Sequence, residues 1–228
     1  HAWGMTEMVR VPMDSIEPRQ VGTRAFGRAY PGLEMRVVDD ADRPLPDGTP
    51  GELVVRHSAV TPRRGFFSGY LDDEAATEDA WRGGWFHPGD TVTCDPDGMM
   101  HFVDRKKNII RRSGENIAAA EIEAVLLTHP DVHQVAVMAV EDEIREEEVL
   151  ACIALKQPRP APAAAQDLFD HCFERLAYYK APGWIHILDS IPTTGTQKIQ
   201  KHNIYPADTD PRMAEGIVDM RDRKRRQA

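Results

Sequence analysis

Little in this 228-residue sequence points to a membrane, a disulfide scaffold or a nucleic-acid partner. The three cysteines, Cys94, Cys152 and Cys172, lie far apart and form no CxxC-type pair. That excludes a zinc ribbon or a stapled mini-domain, and it suits a reducing, cytoplasmic setting. No apolar run approaches the ~20 residues of a membrane-spanning helix, and no stretch has the layout of a signal peptide. Positive charge is also in short supply. With 28 Lys and Arg against 37 Asp and Glu, the net charge is -9, so no nucleic-acid partner is expected without a local basic face. What remains is 41% hydrophobic and 29% charged, an ordinary globular balance. The length allows one large domain or two modest ones.

The stretch from Gly84 to Asn116 organises the rest. Trp85-Phe86-His87-Pro88-Gly89-Asp90 is followed by a hairpin, Thr91–Cys94 and Met99–Val103 around Asp95-Pro96-Asp97-Gly98. The hairpin delivers the chain to Asp104-Arg105-Lys106-Lys107 and then Arg111-Arg112-Ser113-Gly114-Glu115-Asn116. An acid on a Gly turn, Asp90, and a planar cation, Arg105, are a pair able to converge on one polar ligand. Taken alone, Asp90 is a turn residue, His87 a packing histidine and Lys106 part of a solvated face. Glu115 and Asn116 could equally cap the helix that follows.

Upstream, Trp3-Gly4-Met5-Thr6-Glu7 sets an aromatic beside a turn and a carboxylate. Residues 22–56 read as β-rich: Arg36–Asp39 and Glu52–Arg56 are short strands with Pro and Gly turns between them. Asp72 or Asp73 caps a short helix from Glu74. From Ala118 the pattern turns to mixed α and β: a helix Ala119–His129 ended by Pro130, strands Val132–Val140 and Val149–Leu155, a Pro-rich linker Gln157–Pro162, a helix Gln166–Tyr178, and a strand Trp184–Leu188. His129 and His133 have the spacing of metal ligands on a helix, but Pro130 interrupts that helix, so no metal is assigned to them. Residues 206–228, ending in Arg221-Asp222-Arg223-Lys224-Arg225-Arg226, read as a solvated polar tail.

These motifs, in this order from Trp3 to about Ile204, resemble the adenylate-forming enzymes, the superfamily of acyl-CoA synthetases, adenylation domains and luciferases. The resemblance is completed by Ile191-Pro192-Thr193-Thr194-Gly195-Thr196-Gln197-Lys198, similar to the family's terminal lysine loop, in which relatives usually carry Gly at the place of Gln197. It implies an α+β fold. Residues 1–104 would be the barrel-like, β-rich end of a large nucleotide- and acyl-binding domain, 105–108 a hinge with Lys107 as pivot, and 109–205 a small lid with a three-stranded sheet.

By the same resemblance, Trp3 lies against adenine, Thr6 contacts phosphate and Glu7 helps hold Mg2+, which prefers hard oxygen ligands. Asp90 and Arg105 grip the ribose and phosphate region. Ser113, Gly114 and Glu115 line the path of the coenzyme's pantetheine arm. Lys198 reaches the carboxylate and α-phosphate as acyl-adenylate forms, where a mobile ammonium offsets growing charge.

The implied activity is ATP-dependent ligation of a small carboxylic acid to coenzyme A, with ATP, Mg2+ and CoA required. Arg111–Asn116 and Asp142–Glu147 look most like the carnitine/crotonobetaine-CoA ligase branch. Two alternatives stay open: a carrier-protein-loading adenylation domain, and a non-catalytic nucleotide- or partner-binding module. A homo-oligomer also stays open. The family's Ser/Thr/Gly-rich loop ending in Pro-Lys-Gly is not found between His1 and Ala228. The expectation is therefore a piece of a longer chain, unable by itself to make acyl-adenylate.

Overall fold

A computed structural model describes residues 2–15, 17 and 19–224. The chain divides into two compact units, residues 1–107 and 108–228, each treated separately below.

Unit 1 is built on an open antiparallel sheet of five strands: β1 (Ala25–Gly27), β2 (Glu34–Val38), β3 (Gly51–Arg56), β4 (Asp90–Cys94) and β5 (Met100–Arg105), in the order β1-β5-β4-β3-β2. The sheet ends in two unjoined edges, so the barrel-like expectation is corrected to an open sheet among the described residues. The Leu53-Val54-Val55 run of β3 is buried throughout: Leu53 and Val55 enter the core cluster, and Val54, on the opposite face, is buried as well. Leu53, Val55, Phe86, Val92, Phe26 and Trp81 form the core. Helix α1 (Glu74–Ala80) starts at Asp73, whose carboxylate accepts from the Ala76 N–H at 2.9 Å, a side-chain N-cap.

Among the described residues unit 2 has six strands and two α-helices. They are β6 (Ile109–Arg112), β7 (Glu115–Ala118), α2 (Ala119–Leu126), β8 (Val132–Asp142), β9 (Glu146–Leu155), α3 (Ala161–Phe173), β10 (Trp184–Leu188) and β11 (Ile217–Asp219). β9 is the centre: it pairs with β8 antiparallel on one side, and with β10 parallel and β6 antiparallel on the other. Its period-2 alternation sends Val149, Ala151 and Ile153 into a cluster with Ile122, Leu126, Leu168 and Phe169 of the two helices. Leu150, Cys152 and Ala154 go into a second cluster with Ile191, Ile204 and Tyr205.

Several expectations are corrected here. The sheet of unit 2 has six strands, not three, because the β6–β7 hairpin and β11 add to it. Helix α3 begins at Ala161, inside the stretch read as a linker. Pro160 is its N-cap and Pro162 falls in the first turn, where the missing N–H has no helical partner to lose. Helix α2 stops at Leu126, its N-cap is Ala118, and no side chain caps it. Glu115 and Asn116 belong to β7 instead.

Residues 206–224 are not a solvated tail. β11 pairs with β10 through Trp184–Asp219, Ile185–Val218 and His186–Ile217, and Met220 is 4% exposed in the main core. The remainder of that basic run, Arg225 and Arg226, lies outside the described residues. Among the described residues no helix is long and apolar enough to cross a membrane.

Candidate active site

In unit 1 the Gly89 turn carries φ of +73°, a region open to Gly at low cost, and it turns the chain into β4 with Asp90 buried at its first position. β4 pairs with β5 so that Asp90 stands opposite Arg105. Arg105 Nε lies 3.0 Å from Asp90 Oδ1, and an Arg105 terminal nitrogen donates to the Pro88 carbonyl at 3.0 Å. From 87 residues away in sequence, the Trp3 indole N–H donates to Asp90 Oδ2 at 2.7 Å. Trp3 itself is 7% exposed and packs near Phe26. Its N–H is held there by the pairing of its backbone with Pro12 and of Ala2 with Met13.

Trp3, Asp90 and Arg105 are thus brought together, with Asp90 Oδ2 satisfied by the Trp3 N–H. Asp90 is 2% exposed. Burial pushes its carboxyl above the ordinary value, against the opposing pull of the Trp3 hydrogen bond and the Arg105 charge. Oδ1 has Arg105 within ion-pair distance but no well-aligned hydrogen bond. A buried carboxylate oxygen in that condition retains capacity for a hydroxyl donor. Arg105, with Pro88, Gly89, Lys106 and Lys107, lines an open cavity of about 650 Å³.

Thr6 is exposed on the turn from Met5 to Met8. Glu7 is half-buried, and its Oε1 accepts from the Tyr70 hydroxyl at 3.3 Å. Lys107 is exposed, in a single 3-10 turn, Lys106–Asn108, at the junction of the two units.

Sequence reading missed a neighbouring charge cluster. Lys106 is not on a solvated face: its Nζ donates to Glu52 Oε2 at 2.8 Å and lies 3.1 Å from Asp40. Arg82 reaches the same Glu52 oxygen at 3.1 Å, and His87 Nδ1 is 3.3 Å from the other. Burial alone would raise the Glu52 carboxyl, but His87 and Lys106 together hold it down at about 2. The available signal was parity, since Glu52 alternates with buried Leu53 on a central strand.

In unit 2, β6 and β7 are joined by Ser113-Gly114, with φ of +51° and +81°. Positive φ at both central residues is the type I′ hairpin pattern. A Cβ on Gly114 would meet nothing within 4 Å, so the glycine is required by conformation, and open space lies beside it. Ser113 and Glu115 line a cavity of about 400 Å³ together with Arg112, Arg145, Tyr178, Tyr179 and Lys224.

Lys198 is exposed on a tight turn: Gln197 N–H donates to the Thr194 carbonyl, and Thr194 N–H to the Lys198 carbonyl. Gln197 takes φ of +64° there. Below the turn Lys201 Nζ donates to the Val137 carbonyl and lies 2.7 Å from Glu123. The Tyr205 hydroxyl meets His186 Nδ1 at 2.8 Å and Cys152 Sγ at 3.2 Å. The base of the lysine loop is therefore fixed, and its tip, residues 195–199, is exposed. His129 sits against Asp167 at 3.5 Å and accepts from the Asp131 N–H.

Comparison with known proteins agrees with this architecture. Residues 1–71 match the model of the AMP-binding enzymes, and residues 121–198 that of the AMP-binding enzyme C-terminal domain. The crotonobetaine/carnitine-CoA ligase of Escherichia coli O139:H28 is 32% identical over 206 residues, which are 89% of this chain and 38% of that protein. Among solved structures, o-succinylbenzoate CoA synthetase (MenE) from Bacillus subtilis with its acyl-adenylate intermediate matches with TM-score 0.73 and 28% identity, over 92% of this chain and 41% of that one. ATP-bound MatB from Rhodopseudomonas palustris matches with TM-score 0.70 and 25% identity, over 88% and 39%. The chain belongs to the AMP-binding, adenylate-forming enzyme family and corresponds to its C-terminal portion. It spans about 38% of the length of the curated relatives it matches.

Proposed function

We propose that this chain is the nucleotide-gripping and thiol-accepting portion of an AMP-forming acid–CoA ligase. The carboxylic acid attacks the α-phosphorus of ATP, pyrophosphate leaves, and the acyl-adenylate then passes its acyl group to the CoA thiol with release of AMP. The observation that carries this is the Trp3–Asp90–Arg105 cluster, assembled across 87 residues around a carboxylate oxygen with unused acceptor capacity. Two adjacent ribose hydroxyls are donors of the kind that such a carboxylate accepts. They would take Asp90 over from the Trp3 N–H, releasing the indole, while Arg105 stays half-exposed beside the open cavity.

Glu7 fits a Mg2+ role, because Mg2+ usually takes one or two carboxylates and completes its shell with phosphates and water. Among the described residues its carboxylate's one hydrogen bond is that of Oε1 with Tyr70. Mg2+ would there offset charge on the nucleotide phosphates. Lys198, with its side chain exposed at the tip of the turn, suits delivery of an ammonium to the α-phosphate.

In unit 2 the open side of Gly114 and the adjoining cavity with Arg112, Arg145, Tyr178 and Tyr179 suit the phosphates and adenine of CoA, by charge pairing and stacking. The carnitine/crotonobetaine-like acid is the favoured substrate class, on the strength of the 32% relatives. Titration of the chain with AMP tests the reading. Saturable binding with a change in tryptophan emission is expected, at least tenfold weaker in Arg105→Ala. Absence of binding would refute it.

A further inference from the structure

The last described residues complete a charge balance in unit 2. Glu148, on β9, is fully buried. Its Oε2 accepts from Arg112 Nε of β6 at 2.8 Å, and its Oε1 from the Val149 N–H at 2.8 Å and from Lys224 Nζ at 2.5 Å. Lys224 stands 76 residues further along the chain, and its side chain is 0% exposed.

Its delivery there is built into the fold. The Met220 N–H donates to the Gly183 carbonyl at 2.8 Å, and a Cβ on Gly183 would strike Glu148 Cγ at 2.4 Å. A glycine is therefore needed where the final segment crosses Glu148. Arg221 stacks over Trp184 and pairs with Asp219 and Asp142, and Arg223 pairs with Asp170 at 3.1 Å. The delivering residues, Met220, Arg221, Arg223 and Lys224, lie beyond residue 198, where the C-terminal-domain match ends, and their partners lie before it.

The cavity beside this group is lined by Arg112, Arg145 and Lys224 with Glu115, and Glu148 stands behind Arg112 and Lys224. Three cations against two carboxylates leave one positive charge in excess. Arg112 and Lys224 share Glu148; without Lys224, Arg112 would be its sole counter-ion and the excess would vanish. We infer that the 217–224 segment is a working part of the coenzyme site, in which Lys224 neutralises Glu148 so that the positive charge of Arg112 and Arg145 is not cancelled at the cavity and can act on a phosphate group of the thiol substrate. Lys224 is a positioning residue, acting through Glu148. This rests on the coenzyme reading above.

The groups facing the Lys224 ammonium are Glu148 of β9, Arg112 of β6 and Arg145 of the β8–β9 turn. Burial, with the two arginines, lowers the ammonium to about 8 despite Glu148. Above that pH the balance fails in the same way as on removing the residue.

Adenosine 3′,5′-bisphosphate is the probe, titrated calorimetrically into the full chain and three variants. Lys224→Met should bind at least tenfold more weakly. Glu148→Gln should bind as tightly as the unmodified chain or tighter, and the double variant Glu148→Gln/Lys224→Met should return to the unmodified affinity. The unmodified chain should lose affinity as pH rises through about 8, and the double variant should lack that limb. If both single variants weaken alike and the double variant is no better, the pair is merely structural and the inference is overturned. Equal binding by Lys224→Met overturns it too, while leaving the coenzyme reading intact. No binding by the unmodified chain overturns both. The double variant keeps the test open should Lys224→Met fail to fold.

Discussion

Asp90 opens β4 in unit 1 and Glu148 lies near the start of β9 in unit 2; both carboxylates are almost wholly buried, and they are held in opposite ways. Glu148 is closed in on by a guanidinium, an ammonium and a backbone N–H. Asp90 has one indole N–H and a half-exposed arginine, with one oxygen short of a directed donor. A buried carboxylate with its donors in place contributes order. One left short is costly to the folded state and therefore points to a ligand that supplies the missing donors. The difference separates a framework charge from a binding charge.

The comparison is broken most forcefully at Glu148. Glu148→Gln leaves Arg112 and Lys224 buried without their counter-charge, and should cost unit 2 about 3 kcal/mol in urea unfolding, much of it regained in the double variant with Lys224→Met. Next comes Glu52, the framework charge of unit 1. Its carboxyl is depressed below 4.5 to about 2, so the stability it contributes is fully present above pH 4.5 and is lost as pH falls toward 2. Acid unfolding followed by tryptophan emission should show this step, and Glu52→Gln should abolish it at a cost of about 2 kcal/mol at neutral pH.

Asp90 should behave in the reverse sense. Its carboxyl is raised by burial, so unit 1 loses stability as pH rises from the ordinary value of 3.8 through the folded one. Asp90→Asn should accordingly raise the melting temperature at pH 7 while lowering AMP affinity at least tenfold. An Asn variant that melts lower would show Asp90 to be a framework charge after all. The smallest effect is expected at the lysine loop. Gln197 sits at φ +64°, where a non-glycine residue is disfavoured by about 1 kcal/mol. Gln197→Gly should therefore stabilise the turn by up to about that amount in thermal melts, whereas Lys198→Ala should leave the melt unchanged, because its side chain is exposed.

Much of this was legible in the sequence because it depends on neighbours. The β4–β5 hairpin follows from its Pro-Asp-Gly turn, and Asp73 as a cap from the residue type at a helix start; the turn register alone would set Asp90 opposite Asp104, and a bulge between Thr91 and Val92 moves it opposite Arg105. The helix α3 boundary was misread because proline is a breaker inside a helix and a favoured residue at its start, and composition alone does not separate the two. The six-stranded sheet was undercounted because β6, β7 and β11 are only three or four residues long; so short a run carries no clear period, and each becomes a strand by pairing with its neighbour in the sheet.

The sequence by itself determined the order of motifs, the apolar runs that make β3 and β9 buried strands, and the turns that need positive φ, since each is a property of a few adjacent residues. Only the tertiary structure decided that Trp3 donates to Asp90 and that Lys224 neutralises Glu148. Those partners are 87 and 76 residues apart. Local propensity has no bearing on such a pair; it forms because the packing of whole sheets brings two distant side chains into one place from which water is excluded.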